Sequence, residues 1–347
     1  METLTALRVK IRKILIRSTN WIGDAVMTTP AMGAVRATFP EAEITVAANP
    51  AVAELFSPHP SCDRILVFDK KGSHRGIPGL VHFAHSLARK EFDLAILFQN
   101  AVEAAIISRL ARVPLRAGYK TDCRGFLLTH AVPVGRSERR MHHTAYYLHM
   151  LECLGIRGGS GNLSLACTKA ECDWARTLLG EGFWVALNPG ATYGSAKRWY
   201  PPRFAQVADR LVEELGARIL LVGGAGETGI GEEIEHAANG RILNMTGKTS
   251  VRQLMALLAN CRLLITNDSG PMHIAAALGV PIVALFGPTD HTTTSPLTDS
   301  WRLVRKPVDC APCLKRSCPT DHRCMEAIEA TDVLQAVRDL VGRNTQP

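Results

Sequence analysis

Short apolar runs alternate with longer amphipathic stretches along almost the whole chain, and turns rich in glycine and small polar residues separate them. The run at 13–17 has the length and branching of a buried strand, and a polar turn at 18–24 and a helix over 25–39 follow it. Further strands are expected at 43–47, 64–68 and 93–98, with an amphipathic helix at 76–90. Two short strands at 114–119 and 127–132 precede a helix at 143–155. The glycine-rich stretch 157–161 is the best linker in the chain. The same grammar then repeats: strand 184–187, helix 202–215, strand 218–222, helix 227–238, strand 242–244, helix 250–260. Residues 263–290 give a strand, a polar turn at 267–270, an Ala-rich helix opened by Pro271 and closed by Gly279, and another strand at 281–286. A final amphipathic helix is expected at 332–341.

Strands alternating with helices imply right-handed crossovers and parallel sheets. The 347 residues exceed what one core usually fills. The chain is therefore expected to be α/β, with two doubly wound domains at 1–160 and 161–330 facing across a central cleft, and a helix and tail at 331–347. In such sheets ligands bind outside the carboxyl ends of the strands.

Composition changes this picture little. Hydrophobic residues at 46% and charged residues at 21% fit a folded soluble protein. No run approaches the ~20 apolar residues of a membrane span, and the amino terminus reads as no signal peptide, so the expected location is cytoplasmic. The formal net charge of +8 favours anionic partners. Aromatic residues at 6% offer few stacking platforms, so nucleic acid is not expected. Of ten cysteines, Cys310, Cys313, Cys318 and Cys324 cluster near His322. Cys-x2-Cys is half of a zinc-ribbon pattern, but the later spacings fit no common structural site. Reduced or redox-active thiols are favoured there, and no metal is expected.

Three turns of the second half carry candidate chemistry. Residues 188–199 combine small residues with Thr192, Ser195 and the Lys197–Arg198 pair, the charge a leaving pyrophosphate needs; the alternative is a solvated surface pair. Gly223 to Glu227 resembles part of a dinucleotide-binding run with the wrong spacing, and Glu227 either caps a helix or bonds ribose. In the third turn, Ser269 and Gly270 open a helix whose unfilled N–H groups suit phosphate. Asp268 either caps that helix or binds ribose, and His273 lies where it could donate to a phosphate oxygen. In the first half, Asp24 opens a helix and is either a plain N-cap or a general base. No hydrolase elbow, P-loop lysine motif or paired-carboxylate glycosidase pattern is present.

The motifs Asn20-Trp21-Ile22-Gly23-Asp24, Pro189-Gly190-Ala191 through Lys197-Arg198-Trp199, and Thr266-Asn267-Asp268-Ser269-Gly270-x-Met272-His273 together resemble the ADP-heptose:lipopolysaccharide heptosyltransferases. These are inverting glycosyltransferases of family 9 with the two-Rossmann GT-B architecture, and the resemblance runs from Ile14 to about Leu340. It implies transfer of L-glycero-D-manno-heptose from ADP-heptose to the first heptose of the lipopolysaccharide inner core. The resemblance assigns Asp24 as base and Lys197 as the residue stabilising the leaving diphosphate. Thr192, Glu227, Asp268, Ser269, Gly270 and His273 fall where the family binds ADP-heptose, and the second domain would hold that donor. The first would hold the lipid A-Kdo-heptose acceptor, with Asn20, Trp21 and Arg124 as candidate contacts. No cofactor beyond the donor is implied. A basic first-domain face of Arg17, Arg36, Arg116, Lys120, Arg124 and Arg136 would rest on the inner membrane. Tyr193 stands where relatives acting on the preceding acceptor carry a second threonine, and the cysteine cluster lies outside the catalytic motifs.

Overall fold

The computed structural model describes Leu4 and residues 10–342. Most of the amino-terminal stretch for which no signal peptide is expected, and the end of the tail, lie outside them. The chain divides into two compact units, Met1–Ala166 and Cys167–Pro347.

The first unit is built on six parallel strands: β1 (Lys13–Arg17), β2 (Glu43–Ala48), β3 (Arg64–Val67), β4 (Leu94–Leu97), β5 (Leu115–Tyr119) and β6 (His130–Val132). They lie in the order β3-β2-β1-β4-β5-β6. The central strands β1 and β4 are buried on both faces, as a parallel sheet covered by helices requires. The helix expected over 25–39 is two helices, Ile22–Met27 and Thr29–Thr38. Pro30 brings no N–H to the carbonyl of Val26, and the hydroxyls of Thr28 and Thr29 bond instead to the carbonyl oxygens of Ala25 and Val26 at 2.7 and 2.8 Å. Two helices not anticipated are Pro50–Leu55, capped by Asn49 on Val52 N, and Val102–Leu110.

The second unit has the same plan. Its strands are β7 (Trp184–Asn188), β8 (Arg218–Leu221), β9 (Ile242–Asn244), β10 (Leu263–Asn267), β11 (Ile282–Leu285) and β12 (Trp301–Val304), all parallel, in the order β12-β11-β10-β7-β8-β9. The helix Pro201–Leu215 starts on two prolines, buries Phe204, Val207, Ala208 and Leu211, and stops at Gly216, which adopts a left-handed φ of 61°. The helix Ala330–Val341 packs Val333, Leu334, Val337 and Leu340 into the same core. Strand β12 and the helix Lys169–Leu179, started by a Thr168–Glu171 capping box, were not anticipated.

Both sheets reverse their strand order once, between β1 and β4 in the first unit and between β7 and β10 in the second. A doubly wound sheet opens a crevice at such a switch point, because successive crossovers leave to opposite sides. Among the described residues, no helix is long and apolar enough to cross a membrane.

Candidate active site

At the second switch point the turns after β7 and β10 are stitched together by asparagines. Asn188, closing β7, donates from Nδ2 to Thr266 Oγ1 at 2.9 Å and to Ser269 Oγ at 2.7 Å. Asn267, closing β10, donates to Pro189 O at 2.7 Å and accepts from Trp199 N at 3.2 Å. Trp199 is buried and donates from its indole to Ile328 O at 3.0 Å, so the turn between these two anchors cannot drift. The sequence alone assigns neither asparagine a role, because their partners are set by strand order.

Within this frame Lys197 Nζ lies 2.7 Å from Asp268 Oδ2 and 3.3 Å from Asp268 O. Both side chains are largely buried, at 14% and 5% exposure. Asp268 is therefore the partner of Lys197; the residue at the helix's N-cap is Ser269, which makes no side-chain cap bond. The solvated-pair alternative for Lys197 is excluded. The helix Gly270–Ala277 starts here, and no described residue accepts from the N–H of Ser269 or Gly270. These donors and the helix start face the switch-point edge with partial positive charge.

Glu227 lies against the first of these turns. It is 7% exposed and caps its own turn through Gly224 N at 2.7 Å, so the capping reading holds. It also covers Gly190: a Cβ there would fall 2.0 Å from Glu227 Cδ. Thr192 is exposed on the first turn, whereas His273 is 3% exposed within the helix. The Tyr193 ring lies between Lys197 Nζ at 5.1 Å and the Arg316 guanidinium at 5.0 Å.

The cysteine-rich segment is fastened to this same turn. Arg316 O accepts from Ala196 N at 3.0 Å, His322 Nε2 bonds Ala196 O at 2.7 Å, and Tyr193 Oη donates to Leu314 O at 3.3 Å. Gly194 has no room for a Cβ, which would sit 2.2 Å from Arg316 O. Cys310, Cys313, Cys318 and Cys324 are free thiols, and among the described residues no group of three or more ligands is arranged to hold a metal. Burial first, then the neighbouring cysteines, push the Cys324 thiol up, while the Thr320 hydroxyl lowers that of Cys318.

In the first unit, Asn20 and Trp21 are exposed after β1, and Asp24 is the third residue of the helix Ile22–Met27. Gly23, expected in the turn, is helical. No cap bond involves the Asp24 side chain; its Oδ1 is 3.1 Å from His143 Nδ1. Arg124 departs from its expected role as an acceptor contact. It is fully buried, donating to the carbonyl oxygens of Tyr119, Gln99, Ala101 and Leu97 and to Asn100 Oδ1, and burial pushes its guanidinium down to about 10. A guanidinium satisfied by five oxygens at the ends of β4 and β5 braces the sheet edge.

The expected basic face is corrected in the same way. Arg17 is buried on Ser18 O and Ala47 O, Arg36 pairs with Asp63, and Arg116 bonds Leu127 O and Val113 O. Lys120 and Arg136 remain exposed. A groove of about 760 Å³ is lined by His82, His85, Arg89, Arg109 and Arg112, with no acid in its lining.

Two parallel α/β sheets with donor-rich turns at the switch point of the second are the framework of a nucleotide-sugar glycosyltransferase of the GT-B fold. The chain belongs to glycosyltransferase family 9 (heptosyltransferase), which matches residues 80–323. It is 30% identical to lipooligosaccharide heptosyltransferase 2 of Campylobacter jejuni over 95% of this chain and 98% of that protein. It is also 30% identical to lipopolysaccharide heptosyltransferase 2 of Salmonella typhimurium, over 84% and 88%. Among solved structures, ADP-heptose lps heptosyltransferase II of E. coli superposes with a TM-score of 0.83 at 27% identity, covering 96% of this chain and all of that one.

Proposed function

We propose that the protein transfers L-glycero-D-manno-heptose from ADP-heptose to the first heptose of the lipopolysaccharide inner core, inverting the anomeric carbon. The observation that carries this is the likeness to heptosyltransferase 2 along essentially the whole of both chains. In this reading Asp24 removes the proton of the acceptor hydroxyl, whose oxygen attacks the anomeric carbon while the bond to the diphosphate breaks. The electron pair leaves with ADP. Lys197, held by Asp268, and the N–H groups of Ser269 and Gly270 offset the charge that grows on the leaving group. Thr192, Glu227 and His273 belong to the donor side, and Asn20 and Trp21 to the acceptor side. The acceptor is the lipid A-Kdo-heptose intermediate at the cytoplasmic face of the inner membrane. Contact with that surface is supported by the basic groove around Arg89, Arg109 and Arg112, since anionic headgroups attract such a cluster.

The test is transfer from ADP-heptose to defined core acceptors carrying no heptose, one heptose or two, read by mass spectrometry, with sugar-swapped and base-swapped donors as controls. Extension of the one-heptose acceptor alone is the expected result. Extension of the heptose-free acceptor would overturn the acceptor assignment, and no extension of any would overturn the donor assignment.

A further inference from the structure

The Asp24 carboxylate is held by one oxygen and presents the other. Oδ1 lies 3.1 Å from His143 Nδ1, and no described residue bonds Oδ2. An ionised carboxylate only accepts, so the Nδ1 of His143 carries the proton of this bond. His143 opens the helix His143–Cys153, which packs against the helix Ile22–Met27. One turn on, Tyr147 is buried, and burial, with the Asp24 charge added, pushes its phenol up. Asp24 therefore sits on a six-residue helix and is bonded from a second helix of eleven residues.

The pair's value is geometric. Its side chains are 41% and 26% exposed, and a polar pair so placed adds little to stability, about 0–1 kcal/mol. A hydrogen bond to one oxygen nonetheless removes most of the rotational freedom of a carboxylate that must take a proton along one direction. A reacting group displaced by about 1 Å loses on the order of 100-fold in rate.

We propose that His143 is the positioning residue of the reaction: its Nδ1–H fixes Asp24 Oδ1 so that Oδ2 is aimed at the acceptor hydroxyl. The proposal rests on the assignment of Asp24 as base. In the step itself the hydroxyl proton passes to Oδ2 as the new glycosidic bond forms, the donor's anomeric C–O bond breaks with its electron pair, and the Nδ1–H bond to Oδ1 is kept. Asp24 then returns its proton to solvent.

The experiment compares His143→Ala, His143→Asn, Asp24→Asn and the double variant Asp24→Asn/His143→Ala in the full chain, with kcat and KM measured for ADP-heptose and the one-heptose acceptor. Asn carries an amide donor at about the reach of Nδ1, so it preserves the bond that Ala removes. His143→Ala is expected to lower kcat ~10–100-fold, with both KM values within about 3-fold of the parent. His143→Asn should recover most of that loss, and the double variant should be no slower than Asp24→Asn. An unchanged kcat in His143→Ala would overturn the proposal, as would an Asn variant no faster than Ala while both melt at the parent temperature. Turnover retained in Asp24→Asn would instead overturn the assignment of the base, whatever His143 does.

Discussion

Lys197 Nζ stands 2.7 Å from Asp268 Oδ2, an ion pair spanning two turns that a doubly wound sheet brings together at its switch point. The lysine assigned to the leaving group is thus already oriented by protein. Its charge is directed by a partner with 5% side-chain exposure, so it does not have to be gathered from solvent when the donor binds.

Removing one member of this pair leaves the other buried without its counter-charge. Asp268→Asn is expected to destabilise the protein by about 3 kcal/mol, the low end for a broken buried pair because Lys197 keeps some contact with water. It should also weaken ADP-heptose binding, since the ammonium loses its direction. Urea unfolding and donor titration read the two effects; a variant as stable as the parent with unchanged donor affinity would mean the pair positions nothing.

Gly190 and Glu227 make a second coupled pair, through space and not charge. A methyl at Gly190 would collide with Glu227 Cδ at 2.0 Å. Gly190→Ala should cost about 1–3 kcal/mol. In the double variant Gly190→Ala/Glu227→Ala the clash is gone, so the fold should recover much of that loss while donor binding does not. Strict additivity in a thermal-unfolding cycle would show that the two residues do not meet.

Arg124 separates a bracing role from a binding one. Arg124→Ala strips donors from five oxygens, three of them in buried bonds and two in part-buried ones, and should destabilise the first unit by about 3 kcal/mol. An acceptor contact would instead raise the acceptor KM and leave the melting temperature alone.

Acid sensitivity has an identifiable contributor in Glu171. The Arg252 guanidinium, 2.8 Å away, holds its carboxyl down at about 2 from an ordinary 4.5. The folded value lies below the unfolded one, so the contribution is complete above pH 4.5 and is lost as the pH falls towards 2. Solvent around the pair limits it to on the order of 1–2 kcal/mol. Glu171→Gln should flatten that part of the stability–pH curve, and an unchanged acid limb would remove the pair from the account.

What the sequence made legible follows from the range of the interactions concerned. Buried parallel strands announce themselves locally, so β1, β4, β7, β10 and β11 are visible as apolar runs, and so are the turns that follow them. The edge strand β12 is only partly buried and carries no such run. The six-residue helix Pro50–Leu55 is too short for a period to show. Site chemistry was legible as residue types and illegible as pairings: Asp24 and His143 are 119 positions apart, and Lys197 and Asp268 are 71 apart. The direction of an arginine was least legible of all. Arg17, Arg116 and Arg124 read as surface charge, yet carbonyl oxygens left over at strand ends draw them inward.

The fastening of the cysteine-rich segment to the turn that carries Lys197 has a consequence for recombination. Tyr193 and Leu314 are bonded across 121 positions of chain, and Gly194 admits nothing larger beneath Arg316. A recombination that exchanged one stretch for a homologue's without the other would bring mismatched surfaces together. Grafts of either stretch onto this scaffold should therefore transplant both.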